Sequence, residues 1–364
     1  IGIISIITII VIVGVVFVNT SPEFGGKYSE KDEERYEKSG HFKDGVFVNQ
    51  IETSMDMSFS SIVSTSIDFI KGVKNGRPDK SLTSLALDST QVADNRMPRL
   101  IWFGHSAFLL QTEGKNILID PMLGEVPAPH PLLGGKRYQK ELPLQIEKLP
   151  QIDLIIISHD HYDHLDYGSI QKLKAKTKLF FVPLGVGAHF KAWGVPDNQI
   201  VEFNWWDEKE MEGINFAFTP SRHFSGRGLS DRSKTLWGSW VIKTKEKNIF
   251  FSGDSGYGEH FKEIGEKFGP FDFAMMECGQ YNEKWHDIHM MPEETAQASI
   301  DIKTKLMMPI HWGSFTLALH SWTDPVERVS KKLEEFNQDF IIPRVGESIW
   351  LEKPSVSNSF WWKK

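Results

Sequence analysis

LIIISHDHYDH, the stretch at residues 154–164, joins an apolar run to a cluster of potential metal ligands. The apolar part is typical of a buried β-strand. His159 and His161 would leave this strand on the same side, because side chains along a strand alternate with a period of two. Asp163 and His164 fall in the following turn, where they could meet a second ion. A mixture of imidazole and carboxylate suits zinc, with iron or manganese as the next candidates.

Three later residues follow predicted strands in the same way. His223 comes after the apolar residues 214–220, Asp254 lies in Ser-Gly-Asp-Ser, and His311 lies in Pro-Ile-His-Trp. A single histidine beside a strand is usually a packing or surface residue. Several ligand-type side chains at strand ends can instead converge on one edge of a sheet, so the pattern predicts a two-metal site.

These seven residues resemble, in identity and order, the ligand set of the metallo-β-lactamase superfamily. The resemblance covers roughly residues 98–352. It implies that a first ion is held by His159, His161 and His223. A second ion is then held by Asp163, His164 and His311, and the carboxylate of Asp254 bridges both ions. True lactamases generally lack a bridging aspartate at the position of Asp254, and several have a cysteine there. The only cysteine, Cys278, lies 24 positions later, which disfavours antibiotic hydrolysis.

Four further segments are similar to the branch that contains N-acyl-phosphatidylethanolamine-hydrolysing phospholipase D and lactonase-like bacterial hydrolases. The segments are Ile101-Trp-Phe-Gly-His105-Ser-Ala, Ile119-Asp120-Pro121, Ile288-His289-Met-Met-Pro292 and Pro309-Ile-His311-Trp-Gly. We expect His105 and Asp120 to orient the ligands, as sites of this kind require. His289 is the candidate general acid or ligand of a substrate oxygen, with a packing role as the alternative.

The expected chemistry is hydrolysis by a hydroxide that bridges two zinc ions, with Asp163 also orienting the nucleophile. The leading substrate is a phosphodiester in a phospholipid-like molecule. A lactone, ester or thioester is the alternative, because the same residues would serve it. A nuclease and a membrane-anchored binding protein without activity are the remaining possibilities.

Composition and net charge indicate which classes of binding partner to expect. The chain has 364 residues, 40% of them hydrophobic, and a net charge of −7. An acidic protein repels the phosphate backbone, so nucleic acid is an unlikely partner and a small molecule or lipid is favoured. One cysteine excludes an internal disulfide. Oligomeric state stays open.

The first 18 residues are almost wholly apolar and uncharged. As a helix they would be ~27 Å long, close to the ~30 Å hydrocarbon core of a bilayer. Residues 1–18 are therefore predicted to be a transmembrane or signal-anchor helix, with a cleaved signal peptide or a buried core element as alternatives. This makes the protein a single-pass membrane protein, with the catalytic domain preferred outside the cytoplasm.

The rest of the chain divides into three parts. Residues 19–97 form an extension with a charged linker and an amphipathic helix whose apolar residues, from Phe59 to Val73, pack on the next domain or lie on a bilayer. Residues 98–352 carry two sets of short strands with helices between them. This order predicts an α/β fold with two sheets packed face to face and helices outside, the four-layer αβ/βα sandwich of the resembled family. Residues 353–364 are a tail whose paired tryptophans anchor at a membrane interface or pack on the surface.

Overall fold

The structure is a computed structural model that describes residues 2–56, 58–355 and 360–363. Within the first helix it describes the side chains of residues 8–9 and 11–20 only. Of the predicted anchor, residue 1 and the side chains of residues 2–7 and 10 therefore lie outside the described part, as do residues 356–359 and 364 of the tail.

The described helices are α1 (Gly2–Thr20), α2 (Glu30–Glu37), α3 (Phe59–Lys71), α4 (Ser89–Ala93), α5 (Tyr167–Leu173), α6 (Gly187–Ala192), α7 (His260–Lys267), α8 (Pro292–Asp301) and α9 (Asp324–Glu335). The strands are β1 (Phe42–Lys43), β2 (Val46–Phe47), β3 (Arg99–Trp102), β4 (Phe108–Thr112), β5 (Lys115–Ile119), β6 (Ile152–Ile156), β7 (Thr177–Pro183), β8 (Ile200–Phe203), β9 (Glu208–Met211), β10 (Ile214–Thr219), β11 (Ser239–Lys243), β12 (Asn248–Phe251), β13 (Phe273–Glu277), β14 (Met307–Ile310) and β15 (Ser348–Trp350).

Two large sheets form the body of the protein. One has seven strands in the order β15-β3-β4-β5-β6-β7-β8, and the other has six in the order β14-β13-β12-β11-β10-β9. The strands from β5 to β8 pair in parallel, as do those from β12 to β14. Parallel pairing requires crossover connections, and these place helices on the outer faces of both sheets.

The core lies in two layers. Between the sheets, inward-facing aromatic side chains meet, such as Phe108 and Phe251 with ring centres 6.3 Å apart. Outside the seven-stranded sheet, Ile170 of α5 and Phe190 of α6 are fully buried against the strands. Helices α7, α8 and α9 cover the six-stranded sheet, where Val329 is fully buried. The predicted four-layer sandwich is confirmed.

Within each sheet, several strands run in the same direction, so that their carboxyl ends lie at the same edge. Strands β10, β12, β13 and β14 run in the same direction, because β11 is antiparallel to both β10 and β12. In the other sheet β3, β5 and β6 also share a direction. The segments that follow these strands carry all the predicted site residues.

The predicted membrane anchor is wrong. In the described part of the chain, none of the helices has the length and apolarity to cross a bilayer. Polar Asn19 and Thr20 end the helix, and the Phe17 ring packs against His130 with centres 6.0 Å apart. The predicted single-pass membrane localisation, with the catalytic domain outside the cytoplasm, is therefore wrong as well.

Helix α3 forms, and most of its apolar residues do not pack on the domain, which was one of the two placements considered. Phe59 and Ile70 are 84% and 85% exposed. The helix is attached through Lys284 Nζ, which donates to the hydroxyls of Ser64 and Thr65 over 2.9 Å. At the other end of the chain, Trp362 is buried. The described part of the tail therefore packs on the surface.

Candidate metal centre

The candidate site lies where the two sheets meet. The seven-stranded sheet supplies the loop after β6, which carries His159, His161, Asp163 and His164. The six-stranded sheet supplies His223 after β10, Asp254 after β12 and His311 immediately after β14. The structure thus brings together all seven residues that the sequence singles out as ligands.

One group of four ligand atoms comes from His159, His161, His223 and Asp254, all within 4.8 Å of one another. His159 Nε2 lies 2.9 Å from His161 Nδ1, and His223 Nε2 lies 3.1 Å from the same atom. Ring nitrogens at this separation converge on a common point, as the ligands of one ion do.

A second group comes from His105, Asp163, His164 and His311, again within 4.8 Å. Asp163 Oδ2 lies 3.1 Å from His311 Nε2 and 3.6 Å from His164 Nε2. Asp163, His164 and His311 are the residues expected for the second ion, and His105 joins them.

Asp254 lies between the two groups. Its Oδ2 is 3.1 Å from His164 Nε2 and 3.2 Å from His311 Nε2, and 3.7 Å from His159 Nε2 on the other side. A carboxylate in this position can reach both groups, which is the geometry that a bridging ligand requires.

The chemistry of the donors fits metal ions. His164 Nε2 and Asp254 Oδ1 are buried and make no hydrogen bond within the described residues. Buried polar atoms are normally satisfied, so an orphan pair at the centre of a ligand cluster fits residues that bind a cation. Imidazole and carboxylate donors suit zinc, iron and manganese.

The far nitrogen of four ligand imidazoles is held by the protein, which fixes each ring and leaves the near nitrogen free to bind a metal. The partners and distances are Ser158 Oγ to His159 Nδ1 at 2.9 Å, Asp120 Oδ2 to His164 Nδ1 at 2.7 Å, Ile288 O to His223 Nδ1 at 2.9 Å, and Gly279 O to His311 Nδ1 at 3.3 Å.

Asp120 and His105 both contact ligands. Besides His164, the buried Asp120 carboxylate accepts from Ser158 N over 2.7 Å, so it ties a ligand ring to the main chain of the ligand loop. His105 Nε2 donates to Asp163 Oδ2 over 2.8 Å. Burial lowers the pKa of His105 to about 3, so the ring is neutral and its donated proton orients the carboxylate.

Burial also decides the charge of the ligand rings. It lowers the pKa of His159 and His223 well below the usual histidine range, and neighbouring imidazoles lower both further. Neutral rings carry the lone pair that a metal needs. Burial acts in the same direction at His311, but the carboxylates of Asp254 and Asp163 outweigh it and raise its pKa to about 10. The two buried carboxylates of Asp254 and Asp163 therefore favour a positive charge beside His311.

Three residues at the same edge have a left-handed backbone conformation. His105, Asp120 and His311 all have φ between +39° and +66°. Side-chain-bearing residues rarely adopt this left-handed conformation, and it persists where the surrounding fold enforces it. Each of these residues lies at or just beyond a strand end and points its side chain into the cluster.

His289 stands beside the cluster, and its partner was missed by sequence reasoning. His289 Nδ1 lies 2.7 Å from Glu277 Oε1, and its ring stacks on His311 with centres 5.2 Å apart. Glu277 is fully buried and also accepts from Ser255 N over 3.1 Å. A carboxylate at the end of the otherwise apolar strand β13 was the signal that could have found it.

His320, nine residues after His311, has contacts of a structural kind. Its Nε2 accepts from Gln280 N over 3.0 Å, and its ring stacks on Tyr281 with centres 4.5 Å apart. Neither contact involves a candidate ligand.

Comparison with known proteins agrees with this architecture. Residues 115–312 match the family model described as the β-lactamase superfamily domain. An uncharacterized protein of Mycobacterium tuberculosis is 36% identical over 330 residues, which cover 89% of this chain and 88% of that protein. An N-acyl-phosphatidylethanolamine-hydrolyzing phospholipase D of Caenorhabditis elegans is 32% identical over 268 residues, covering 68% of this chain and 74% of that one.

The fold also recurs among solved structures. The crystal structure of a possible metal-dependent hydrolase from Veillonella parvula superposes with a TM-score of 0.56 at 18% identity, covering 70% of this chain and 99% of that one. Sandwich, ligand clusters, family model and relatives agree. The chain therefore belongs to the metallo-β-lactamase superfamily of metal-dependent hydrolases.

Proposed function

We propose that the protein is a dizinc phosphodiesterase whose substrate is an amphiphilic phosphodiester such as a phospholipid. His159, His161 and His223 would hold one ion and Asp163, His164 and His311 the other, with Asp254 shared. Two bound ions supply a water of lowered pKa and withdraw charge from substrate oxygens.

The position of Arg232 supports an anionic substrate. Its guanidinium lies 3.8 Å from the centre of the Phe224 ring, and that ring lies 4.6 Å from the ring of His161. Within the described residues Arg232 has no carboxylate partner, and its other contact is Met55 Sδ at 3.1 Å. An unneutralised cation one aromatic ring away from a candidate ligand can bind the negative charge of a phosphodiester.

Helix α3 supports an amphiphilic substrate. Its exposed apolar side chains stand on a helix that Lys284 ties to the loop ahead of His289. An acyl chain could therefore contact α3 while the phosphate lies at the ligand cluster. The similarity to a phospholipase D that hydrolyses N-acyl-phosphatidylethanolamine points to the same class of substrate.

His289 is the proposed general acid. A leaving alcohol needs a proton, and an imidazolium held through Nδ1 by a buried carboxylate can donate the proton on its other nitrogen. Glu277 holds the ring through Nδ1, and a ring nitrogen of His289 lies within 4.8 Å of ligand atoms of Asp254 and His311. Asp163, held by His105, would keep the attacking water in place.

The test compares three substrates with the zinc-loaded protein: a generic aryl phosphodiester, an aryl lactone and N-acyl-phosphatidylethanolamine. We expect turnover of both phosphodiesters and little of the lactone. Robust lactone cleavage without phosphodiester turnover would show a lactonase or esterase instead. His161→Ala should lose zinc and activity together, and an active, metal-replete variant would contradict the ligand assignment.

Metal identity is tested separately. The protein is stripped with a chelator and reloaded with zinc, iron or manganese, and turnover and bound metal are measured together. We expect two equivalents of zinc to restore the highest rate. A higher rate with iron or manganese at equal occupancy would reassign the metal.

A further inference from the structure

A short segment of the N-terminal extension lies against the loop that carries the first ligands. This segment, residues 21–26, is called the strap. Three side chains of the hydrolase domain bond its main chain, and all three are buried. Trp193 Nε1 donates to Pro22 O over 2.7 Å, Arg227 Nε donates to Glu23 O over 2.8 Å, and His189 Nδ1 accepts from Gly26 N over 3.1 Å.

His189 connects the strap to Asp160, the residue between His159 and His161. His189 Nε2 donates to Asp160 Oδ2 over 3.1 Å. Since Nδ1 accepts from the strap and Nε2 donates to the carboxylate, both ring nitrogens are used and the tautomer is fixed. One imidazole therefore joins the strap amide to the ligand loop.

Asp160 is itself firmly held. It is buried, its Oδ1 accepts from Gly226 N over 2.7 Å, and its Oδ2 also accepts from Thr235 Oγ1 over 2.8 Å. The carboxylate thus anchors the ligand loop at a position flanked by two ligands. Losing the His189 bond would remove one of its three partners.

Arg227 makes a second connection. Its Nη1 donates to Asp160 O over 2.6 Å and to Leu165 O over 2.8 Å, while Nε reaches the strap. The guanidinium also lies 4.1 Å from the centre of the Tyr162 ring. One buried cation therefore contacts the strap, the beginning of the ligand loop and its end.

The strap needs glycine where it meets His189. Gly25 has φ of +78°, and a Cβ there would lie 2.1 Å from His189 Nδ1. A Cβ on Gly26 would lie 2.4 Å from Ala188 O. The close approach of strap and ring is thus possible only without side chains at both positions.

We propose that His189 and Asp160 are positioning residues of the metal site, through which docking of the strap and binding of metal strengthen each other. Ligand rings on a loop that is held in place lose less freedom when they bind an ion. Coupling of this kind is reciprocal, so metal must also hold the strap. The inference rests on the ligand assignment proposed above but not on the substrate.

The first experiment measures zinc affinity of the full chain by competition with a chromophoric chelator. His189→Ala should weaken zinc binding about 10- to 100-fold, as losses of residues that support metal ligands do. His41→Ala is the matched control, because His41 is a half-buried histidine that bonds Asn204 Oδ1 over 2.9 Å away from the ligand loop. It should leave the affinity unchanged. Equal affinity in wild type and a folded His189→Ala overturns the proposal.

The main comparison of the second experiment, with and without zinc, uses the wild-type chain and so does not depend on a variant folding. Hydrogen exchange of the peptide that contains the Gly26 amide is followed by mass spectrometry with and without zinc. We expect zinc to slow this exchange, and to slow it less in His189→Gln, whose single amide group does not reproduce the two ring nitrogens that bond Gly26 and Asp160. Exchange that is independent of zinc overturns the proposal.

The ligand assignment and the coupling to the strap can be refuted separately. If His161→Ala keeps full zinc affinity, the ligand assignment fails. If His161→Ala loses zinc while His189→Ala binds it normally, the ligands stand and the coupling to the strap is refuted.

Discussion

Replacing Glu277 by Gln tests whether a buried carboxylate makes His289 effective. The change keeps the shape of the side chain and removes its charge. Glu277 Oε1 lies 2.7 Å from His289 Nδ1, while Oε2 accepts from Ser255 N. A glutamine has one acceptor oxygen for these two donors, so one of the two bonds must be lost.

The size of the effect follows from that bond. A hydrogen bond to a charged group contributes about 1.5–3 kcal/mol. If the bond keeps His289 aligned in the transition state, its loss lowers kcat by roughly 10- to 150-fold. His289→Ala should lower kcat further, by roughly 100- to 10,000-fold, since it removes the general acid itself.

The assay is steady-state turnover of an aryl phosphodiester by zinc-loaded wild type, both single variants and the double variant. Zinc content is measured in each, because Glu277 Oε1 also lies 3.7 Å from His311 Nδ1. Adding Glu277→Gln to His289→Ala should cost nothing more. Losses that multiply in the double variant, at equal zinc content, would refute the positioning of His289 by Glu277. Glu293→Gln, on the outer helix α8, is the control for the loss of a carboxylate.

Three further predictions address substrate charge, pH and packing. Arg232→Ala should raise KM for an anionic phosphodiester about 10-fold or more and leave KM for a neutral lactone unchanged, because a charge-assisted hydrogen bond contributes about 1.5–3 kcal/mol; equal effects on both substrates would contradict it. Burial and the nearby Arg222 charge lower the pKa of His260 to about 3 from 6.5, so the unfolded chain binds more protons between these values and stability falls as the pH drops below 6.5. In urea denaturation of metal-free protein at pH 8 and pH 5, His260→Gln should lose about 2 kcal/mol less than wild type between the two pH values, and identical losses would show that the folded ring titrates normally. Trp362→Ala should lower the free energy of unfolding by about 3 kcal/mol, because Trp362 is 5% exposed, and an unchanged urea midpoint would show that the tail does not pack in solution.

The ligand cluster could be predicted because it depends on local rules. Side-chain alternation placed His159 and His161 on one side of a strand end, and apolar runs before His223 and His311 marked further strand ends. The direction of those strands was the missing step, and the resemblance to a known family supplied it. The sandwich followed from the same strand and helix pattern.

The supporting residues could not be found in this way. His189 gives no signal of its role, since nothing near it in the sequence shows that it meets Asp160, 29 positions away. The bond between Arg227 and Glu23 joins residues 204 positions apart. The membrane anchor was predicted wrongly from hydropathy and length alone, without the packing of Phe17 against His130.

The candidate ligands are divided between the two sheets, four after β6 and three after β10, β12 and β14. Ions held by both sets would cross-link the two halves of the sandwich, in addition to side-chain packing and main-chain bonds such as that from Gly238 N to Ser158 O. Metal binding would then increase the free energy of unfolding by RT ln(1 + [metal]/Kd) for each site that the unfolded chain lacks. At 1,000 times Kd this is about 4 kcal/mol per ion. Limitation of the metal would thus lower the amount of folded protein as well as its rate.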